Sequence, residues 1–331
     1  MFLSVRKDDL GVLVMFLCVS PNPAIDKRIT LPVLIPGEIH RAQTVKALPG
    51  GKSTHVAMVL KALGAEPLWI GPCGGSTGAE LLAGLKKLGI EAHSVTAIGE
   101  TRTNLEIIDD AGVVTEIREP GSPISAAELS ALERACNELF EKGKESTTVI
   151  FSGSLPVGAP NNFYAKLIVA ARAAGCRTFL DTSGEPLKLA LAAHPDFVKP
   201  NRDEAATVLN LRITSRESTA NALSQFLSHG ACSAAISLGA DGMVYAPGKS
   251  APGFFAPAVP LTPKSTVGCG DAALAGFAFA LSTGSSAENA LRTAAACAAA
   301  NCLADSPGAI DKDVMDKFRS QIRIETFILG P

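Results

Sequence analysis

Short apolar segments alternate with amphipathic segments through the second half of this chain, and that rhythm restricts the possible folds more than any other feature. Thr148–Ser152, Arg177–Asp181, Phe197–Lys199 and Ala234–Ser237 read as brief buried strands. Ser125–Glu141, Phe163–Ala174, Asp203–Leu209 and Ser218–Ser228 read as helices between them, and further helices follow at Asp271–Leu281, Ala287–Ala304 and Asp311–Ser320. Strands separated by helices pair in parallel through crossovers that cover both faces of the sheet. The expected fold class is therefore α/β, a three-layer α/β/α arrangement around a doubly wound, mostly parallel sheet.

The first half keeps the rhythm less strictly. Phe16–Val19 and Leu68–Gly71 read as strands, Thr54–Leu63 as a helix, and Gly78–Leu88 as an amphipathic helix stopped by Gly89. Two segments, about 26–48 and 102–119, are strand-like without intervening helices. In the second, Asn104–Ile108 and Val113–Arg118 flank Asp109-Asp110-Ala111-Gly112, a hairpin signal. These segments are expected to form a small separate sheet. An apolar content of 47% over 331 residues suits one large core with such an appendage.

A formal charge of −2 gives no basic excess for nucleic acid or an anionic membrane surface, so an anionic ligand needs a local pocket. The eight cysteines form no CxxC pair and no cluster with histidine, which suits a reducing compartment and argues against a zinc site. The apolar run Leu10–Val19 follows Arg6 and Lys7 as in a signal peptide, but Asp8, Asp9 and the lack of a small-residue cleavage site favour a buried first strand and a cytoplasmic protein. Residues 1–14 read as an N-terminal extension of a domain spanning 15–331, with Met15 a candidate start.

Two glycine-rich turns stand out. Gly51-Lys52-Ser53 imitates the end of a P-loop, but Lys46 occupies the position where that motif needs glycine. Gly50 and Gly51 read better as a turn at which backbone can approach a ligand at a helix start. Thr266-Val267-Gly268-Cys269-Gly270-Asp271 precedes a strongly apolar helix. Its amides can converge at the helix N-terminus and hold the charge of a transferring phosphoryl group. Asp271 at that terminus is either a helix cap or a base for a substrate hydroxyl.

The T-V-G-x-G-D segment and the helix after it resemble the catalytic signature of the ribokinase-like PfkB carbohydrate kinases. Six further segments resemble the family in the same order. They are Asn22-Pro23-Ala24-Ile25-Asp26, Gly50-Gly51-Lys52, Thr101-Arg102-Thr103-Asn104, Ser152-Gly153-Ser154-Leu155-Pro156, Lys199-Pro200-Asn201 with Glu204, and Ser237-Leu238-Gly239 with Gly242. The resemblance runs from about Met15 to the end and points to the branch acting on phosphorylated sugars, 1-phosphofructokinase and tagatose-6-phosphate kinase among them. It implies ATP and Mg²⁺, and it leaves room for a monovalent cation such as K⁺. The two strand-like segments become a lid over the sugar, through whose sheets a homodimer is expected to pair.

By this resemblance Asp271 is the base, with Gly268, Cys269 and Gly270 around the anion hole. Asp26, Gly50, Gly51, Lys52, His55, Arg102, Asn104 and Ser154 surround the sugar phosphate. Lys199, Asn201, Ser237, Gly239, Gly242 and Thr266 lie on the ATP side, and Asn201 and Glu204 serve Mg²⁺ through water. The residue chemistry agrees: Asp26 can accept from vicinal hydroxyls, Arg102 offers a planar fork to phosphate, and Mg²⁺ keeps its waters. Taken alone, each has a plainer reading: Asp26 and Ser154 as turn residues, Arg102 as a surface charge, Glu204 as part of a capping box. The chain departs from the family at His55, which stands where phosphosugar members carry the asparagine that touches sugar, and at Ser53, which replaces a glycine. A kinase of free sugars or nucleosides, and a silent sugar-phosphate sensor, are the rival readings. A nicotinamide enzyme is a weaker rival still, because no G-x-G-x-x-G follows the first strand.

Overall fold

A computed structural model describes residues 14–329. Of the N-terminal extension and the apolar run read above, residues 1–13 lie outside them. The core is a ten-stranded sheet. From one edge its strands are Glu325–Phe327, Gly253–Ala256, Met243–Ala246, Ala234–Ser237, Phe197–Val198, Arg177–Asp181, Thr147–Ser152, Met15–Val19, Pro67–Cys73 and Glu91–Thr96. Pairing is parallel from Ala234–Ser237 to Glu91–Thr96 and antiparallel through the other three. Two apolar clusters sandwich it. Phe16, Cys18, Phe179 and Phe197 face the helices Lys52–Ala62, Cys269–Ser282 and Ala287–Leu303, while Leu17, Val19, Phe151 and Leu180 face Ala126–Gly143, Phe163–Ala173 and Arg216–Ser228. Alternate residues of one strand thus serve opposite layers, as a doubly covered sheet requires.

The lid is a second, four-stranded sheet in the order Thr44–Gly50, Ala24–Leu31, Arg102–Asp109, Val114–Arg118. Its register concentrates charged and polar side chains on one face. Asp26 lies opposite Asn104, which lies opposite Arg118, and Arg28 lies opposite Glu106, which lies opposite Glu116. Residues two apart point the same way, so one face carries Asp26, Arg28, Asn104, Glu106, Glu116 and Arg118. The opposite face carries Ile29, Val45, Ile107 and Ile117, of which Val45 and Ile117 are exposed.

Candidate active site

The site is a cavity of about 410 Å³ between the lid and the large sheet. The starts of the helices Lys52–Ala62, Arg202–Leu209 and Cys269–Ser282 and the ends of the strands Arg177–Asp181 and Ala234–Ser237 line it.

Asp271 comes first. The helix Cys269–Ser282 is capped by Gly268, whose φ of +80° is left-handed and whose missing Cβ would stand 2.8 Å from Pro307 Cβ. No side chain caps this helix, and the first-turn amides of a helix have no intrahelical acceptor, so the amides of Gly270 and Asp271 can receive an anion. Asp271 is buried, and its Oδ2 is bonded to His55 Nδ1 at 2.8 Å. The cap reading is thereby removed: the carboxylate is turned away from its own helix. Buried Asn301 holds the glycine turn from behind, donating to Val267 O at 2.8 Å and accepting from Gly308 N at 2.8 Å.

His55 lies between two carboxylates. Its Nε2 is 2.8 Å from Asp26 Oδ2, and Asn104 Nδ2 donates to Asp26 Oδ1 at 2.8 Å. Burial opposes a charge on His55, but both carboxylates outweigh it and raise the imidazole to about 10. Burial likewise opposes the Asp26 charge, while His55, Asn104 and the Gly51 amide hold it below the usual carboxylate range. Gly50 makes room for this network: a Cβ there would lie 2.2 Å from Asp26 Cγ.

A second network surrounds Asp181 at the end of its strand. Lys199 Nζ is 2.8 Å from Asp181 Oδ2, and Lys52 Nζ is 3.1 Å from Oδ1 and 3.7 Å from Glu204 Oε1. Burial alone would raise the Asp181 carboxyl; the Lys199 and Lys52 cations more than reverse that. For Lys52 burial opposes the charge, and Asp181, Asp271 and Glu204 hold it above the ordinary lysine range. Ser53 fits where a glycine was expected because its hydroxyl bonds Val19 O and Ser152 O.

Of the residues singled out in the sequence, the structure places Asp26, Gly51, Lys52, His55, Arg102, Asn104, Lys199, Asn201, Glu204, Ser237, Thr266, Gly268, Gly270 and Asp271 around the cavity. Five expected residues do not line it: Gly50, which instead packs against Asp26, and Cys269, Ser154, Gly239 and Gly242. The Cys269 thiol faces Cys302 Sγ at 3.2 Å, and its amide bonds Thr266 O at 3.3 Å. Ser154 accepts from Asn22 at 3.3 Å. Gly239 and Gly242 bound the turn after Ala234–Ser237, where they shape the backbone. His55 is at the cavity, but both ring nitrogens are taken by carboxylates, which changes its expected part from sugar contact to a bridge. Sequence reasoning missed Asp181, Asn301 and Arg118. Only Arg118 left a signal, two residues after Glu116 on a strand already read as lid.

Arg102 is tied to the lid by bonds from Nη1 to Glu119 O at 3.0 Å and from Nη2 to Asn22 O at 3.2 Å. Its Nε is buried and unpartnered, as is Asn104 Oδ1. Burial and the nearby Arg118 cation disfavour the Arg102 charge, with Asp26 and Glu119 supporting it. Two guanidinium groups therefore share one cavity, an arrangement that an anion would relieve.

Known proteins of one family resemble this chain. Residues 23–313 match the model of the pfkB family of carbohydrate kinases. The 1-phosphofructokinase of Rhodobacter capsulatus is 36% identical over 267 residues, 80% of this chain and 83% of that protein. A tagatose-6-phosphate kinase of Staphylococcus epidermidis is 30% identical over 315 residues, 94% of this chain and 99% of that protein. Among solved structures, phosphofructokinase-2 from Escherichia coli in complex with potassium superposes with a TM-score of 0.87 at 27% identity, covering 93% of this chain and 98% of that one.

Proposed function

This chain belongs to the pfkB family of carbohydrate kinases, and we propose that it transfers the γ-phosphoryl group of ATP to a hydroxyl of a phosphorylated ketohexose. The observation that carries the reading is the shared cavity of Asp271, at an uncapped helix start, and the guanidinium groups of Arg102 and Arg118. Fructose-1-phosphate, tagatose-6-phosphate and fructose-6-phosphate are the candidate acceptors.

The sugar rests under the lid, its hydroxyls received by Asp26 and Asn104 and its phosphate by Arg102 and Arg118. Asp271 accepts the proton of the acceptor hydroxyl as the hydroxyl oxygen bonds to the γ-phosphorus. The bond from that phosphorus to the departing ADP oxygen breaks. The Gly270 and Asp271 amides hold the charge that develops on the phosphoryl oxygens. Lys52 and Lys199, braced by Asp181, keep positive charge beside the phosphates.

Mg²⁺ fits this site only with its waters. Among the described residues no group of three His, Cys, Asp or Glu side chains could cage a metal. Glu204 and Asn201 are also committed to a reciprocal capping box at the helix Arg202–Leu209, leaving Glu204 Oε1 near Lys52. Glu204 would hold the ion through water, and the ion would neutralise phosphate charge. Glu204→Gln keeps the capping acceptor but removes the charge. It should raise the Mg²⁺ concentration for half-maximal rate about tenfold, the order seen when an outer-shell carboxylate is lost. A titration of rate against Mg²⁺ checks this, and an unchanged midpoint returns Glu204 to a capping role.

A cytoplasmic homodimer pairing through the lid belongs to the same proposal. Support comes from Val45 and Ile117, 58% and 53% exposed on the lid face turned from the cavity. Among the described residues no helix is long and apolar enough to cross a membrane.

The reading is tested by following ADP release with fructose, the three phosphorylated hexoses and adenosine. At least one phosphorylated ketohexose should exceed fructose in kcat/KM by about tenfold or more, as a charge-assisted contact implies. Preference for fructose or adenosine would remove the phosphosugar assignment.

A further inference from the structure

His55 touches both halves of the site, the sugar-holding Asp26 on the lid strand and the base Asp271 on the apolar helix. Each ring nitrogen stands 2.8 Å from a carboxylate oxygen, and the residue is 5% exposed. An ionised carboxylate can only accept a hydrogen bond, and a neutral imidazole has only one N–H to give. Two carboxylates are satisfied together only by the imidazolium. An asparagine at this position would offer a neutral amide and no compensating charge.

We infer that His55 is a positioning residue, an imidazolium strut that fixes Asp271 and Asp26 relative to one another and leaves Asp271 Oδ1 as the oxygen presented to the acceptor hydroxyl. The inference rests on the kinase reading of Asp271. The charged neighbours are Asp26 from the lid, Asp271 from the helix Cys269–Ser282, and Lys52 one turn earlier on the histidine's own helix. Asn104 completes Asp26, and Arg102 acts on Asp26 from the lid edge. The third side is backbone: a Cβ on Gly308 would lie 3.0 Å from His55 Cα.

The sign of the pH effect follows. His55 is raised from 6.5 to about 10 on folding. Its stabilisation of the fold is fully present below the lower value and is lost as pH rises through the upper one. The orientation of Asp271 should be lost over the same alkaline range.

The first test needs no substrate. In the full chain labelled with ¹⁵N-histidine, five histidines contribute, and His55→Asn identifies the resonances of His55 by their disappearance. Both His55 ring nitrogens should be protonated at about pH 8, far above the ordinary midpoint. A bare nitrogen at that pH overturns the strut. The second test is the kcat profile of the wild-type enzyme from neutral pH to beyond the alkaline midpoint found by NMR, with circular dichroism confirming the fold. Turnover should fall with that midpoint. A flat profile through it overturns the positioning role, whether or not the variants fold. In folded His55→Asn and His55→Gln, kcat should drop about tenfold to a hundredfold, the scale of a misaligned reacting group, and the alkaline fall should vanish. Variants that lose turnover but keep the wild-type profile also overturn it. A failure of the kinase reading would look different: Asp271→Asn would retain turnover while the doubly protonated His55 stayed visible.

Discussion

Asp271→Asn should fold, bind ATP and lose about two to four orders of magnitude in kcat, the usual range for a missing general base. The substitution keeps the shape of the side chain. Its amide oxygen can still accept from His55 Nδ1, so the bridge to the lid survives. What disappears is the capacity to take a proton. The glycine turn and its amides remain, so residual turnover over the uncatalysed reaction is expected. Because Asp271 makes no cap bond to its own helix, loss of helix stability cannot account for the fall. Steady-state kinetics with a thermal melt for each protein checks the expectation. Near-wild-type kcat in a folded variant would return Asp271 to a structural role.

The second large effect belongs to Arg102. Arg102→Ala should lower kcat/KM for a phosphorylated ketohexose by about one to two decades while leaving fructose turnover much less affected. A charge-assisted contact is worth about 1.5–3 kcal/mol, and about 1.4 kcal/mol corresponds to one decade. Truncation also removes the bonds to Glu119 O and Asn22 O that tie the lid. That loss falls on both substrates alike, so the ratio of the two kcat/KM values isolates the phosphate contact. Arg118 stays in the cavity and limits the loss. Equal damage to both substrates would mean that Arg102 only shapes the lid.

The parallel part of the sheet was legible because its strands are short apolar runs separated by well-marked helices. Arg177–Asp181 and Ala234–Ser237 were read to the residue. The antiparallel edge was not. Met243–Ala246, Gly253–Ala256 and Glu325–Phe327 span four, four and three residues, too few to display a period. Glu91–Thr96 is an edge strand whose side chains are largely exposed, so it lacks an apolar signal. The helix Gly184–Leu191 went unread beside its own glycine and proline, which look like turn residues.

The active site divides in the same way. Asp26, Lys52 and Asp271 lie in local motifs that resemble the family's, although Asp26 alone reads as a turn residue and Asp271 alone as a cap or a base. Asp181 carries no such local signal, because its partner Lys52 is 129 residues away in sequence and meets it only through the sheet order. Asn301 sits mid-pattern in an alanine-rich helix and matters only because the glycine turn folds back onto it. His55 was visible as a departure from the family, yet its bridging geometry required the lid register that places Asp26 above it.

The most direct measurement is ³¹P NMR of the wild-type enzyme mixed with ATP, Mg²⁺ and each candidate phosphohexose in turn. For one of them a second phosphoester resonance on the sugar should grow in step with ADP, with little free phosphate. ATP decaying to inorganic phosphate, or remaining intact with every phosphohexose while a free sugar or nucleoside is phosphorylated, would contradict phosphoryl transfer to a phosphorylated ketohexose.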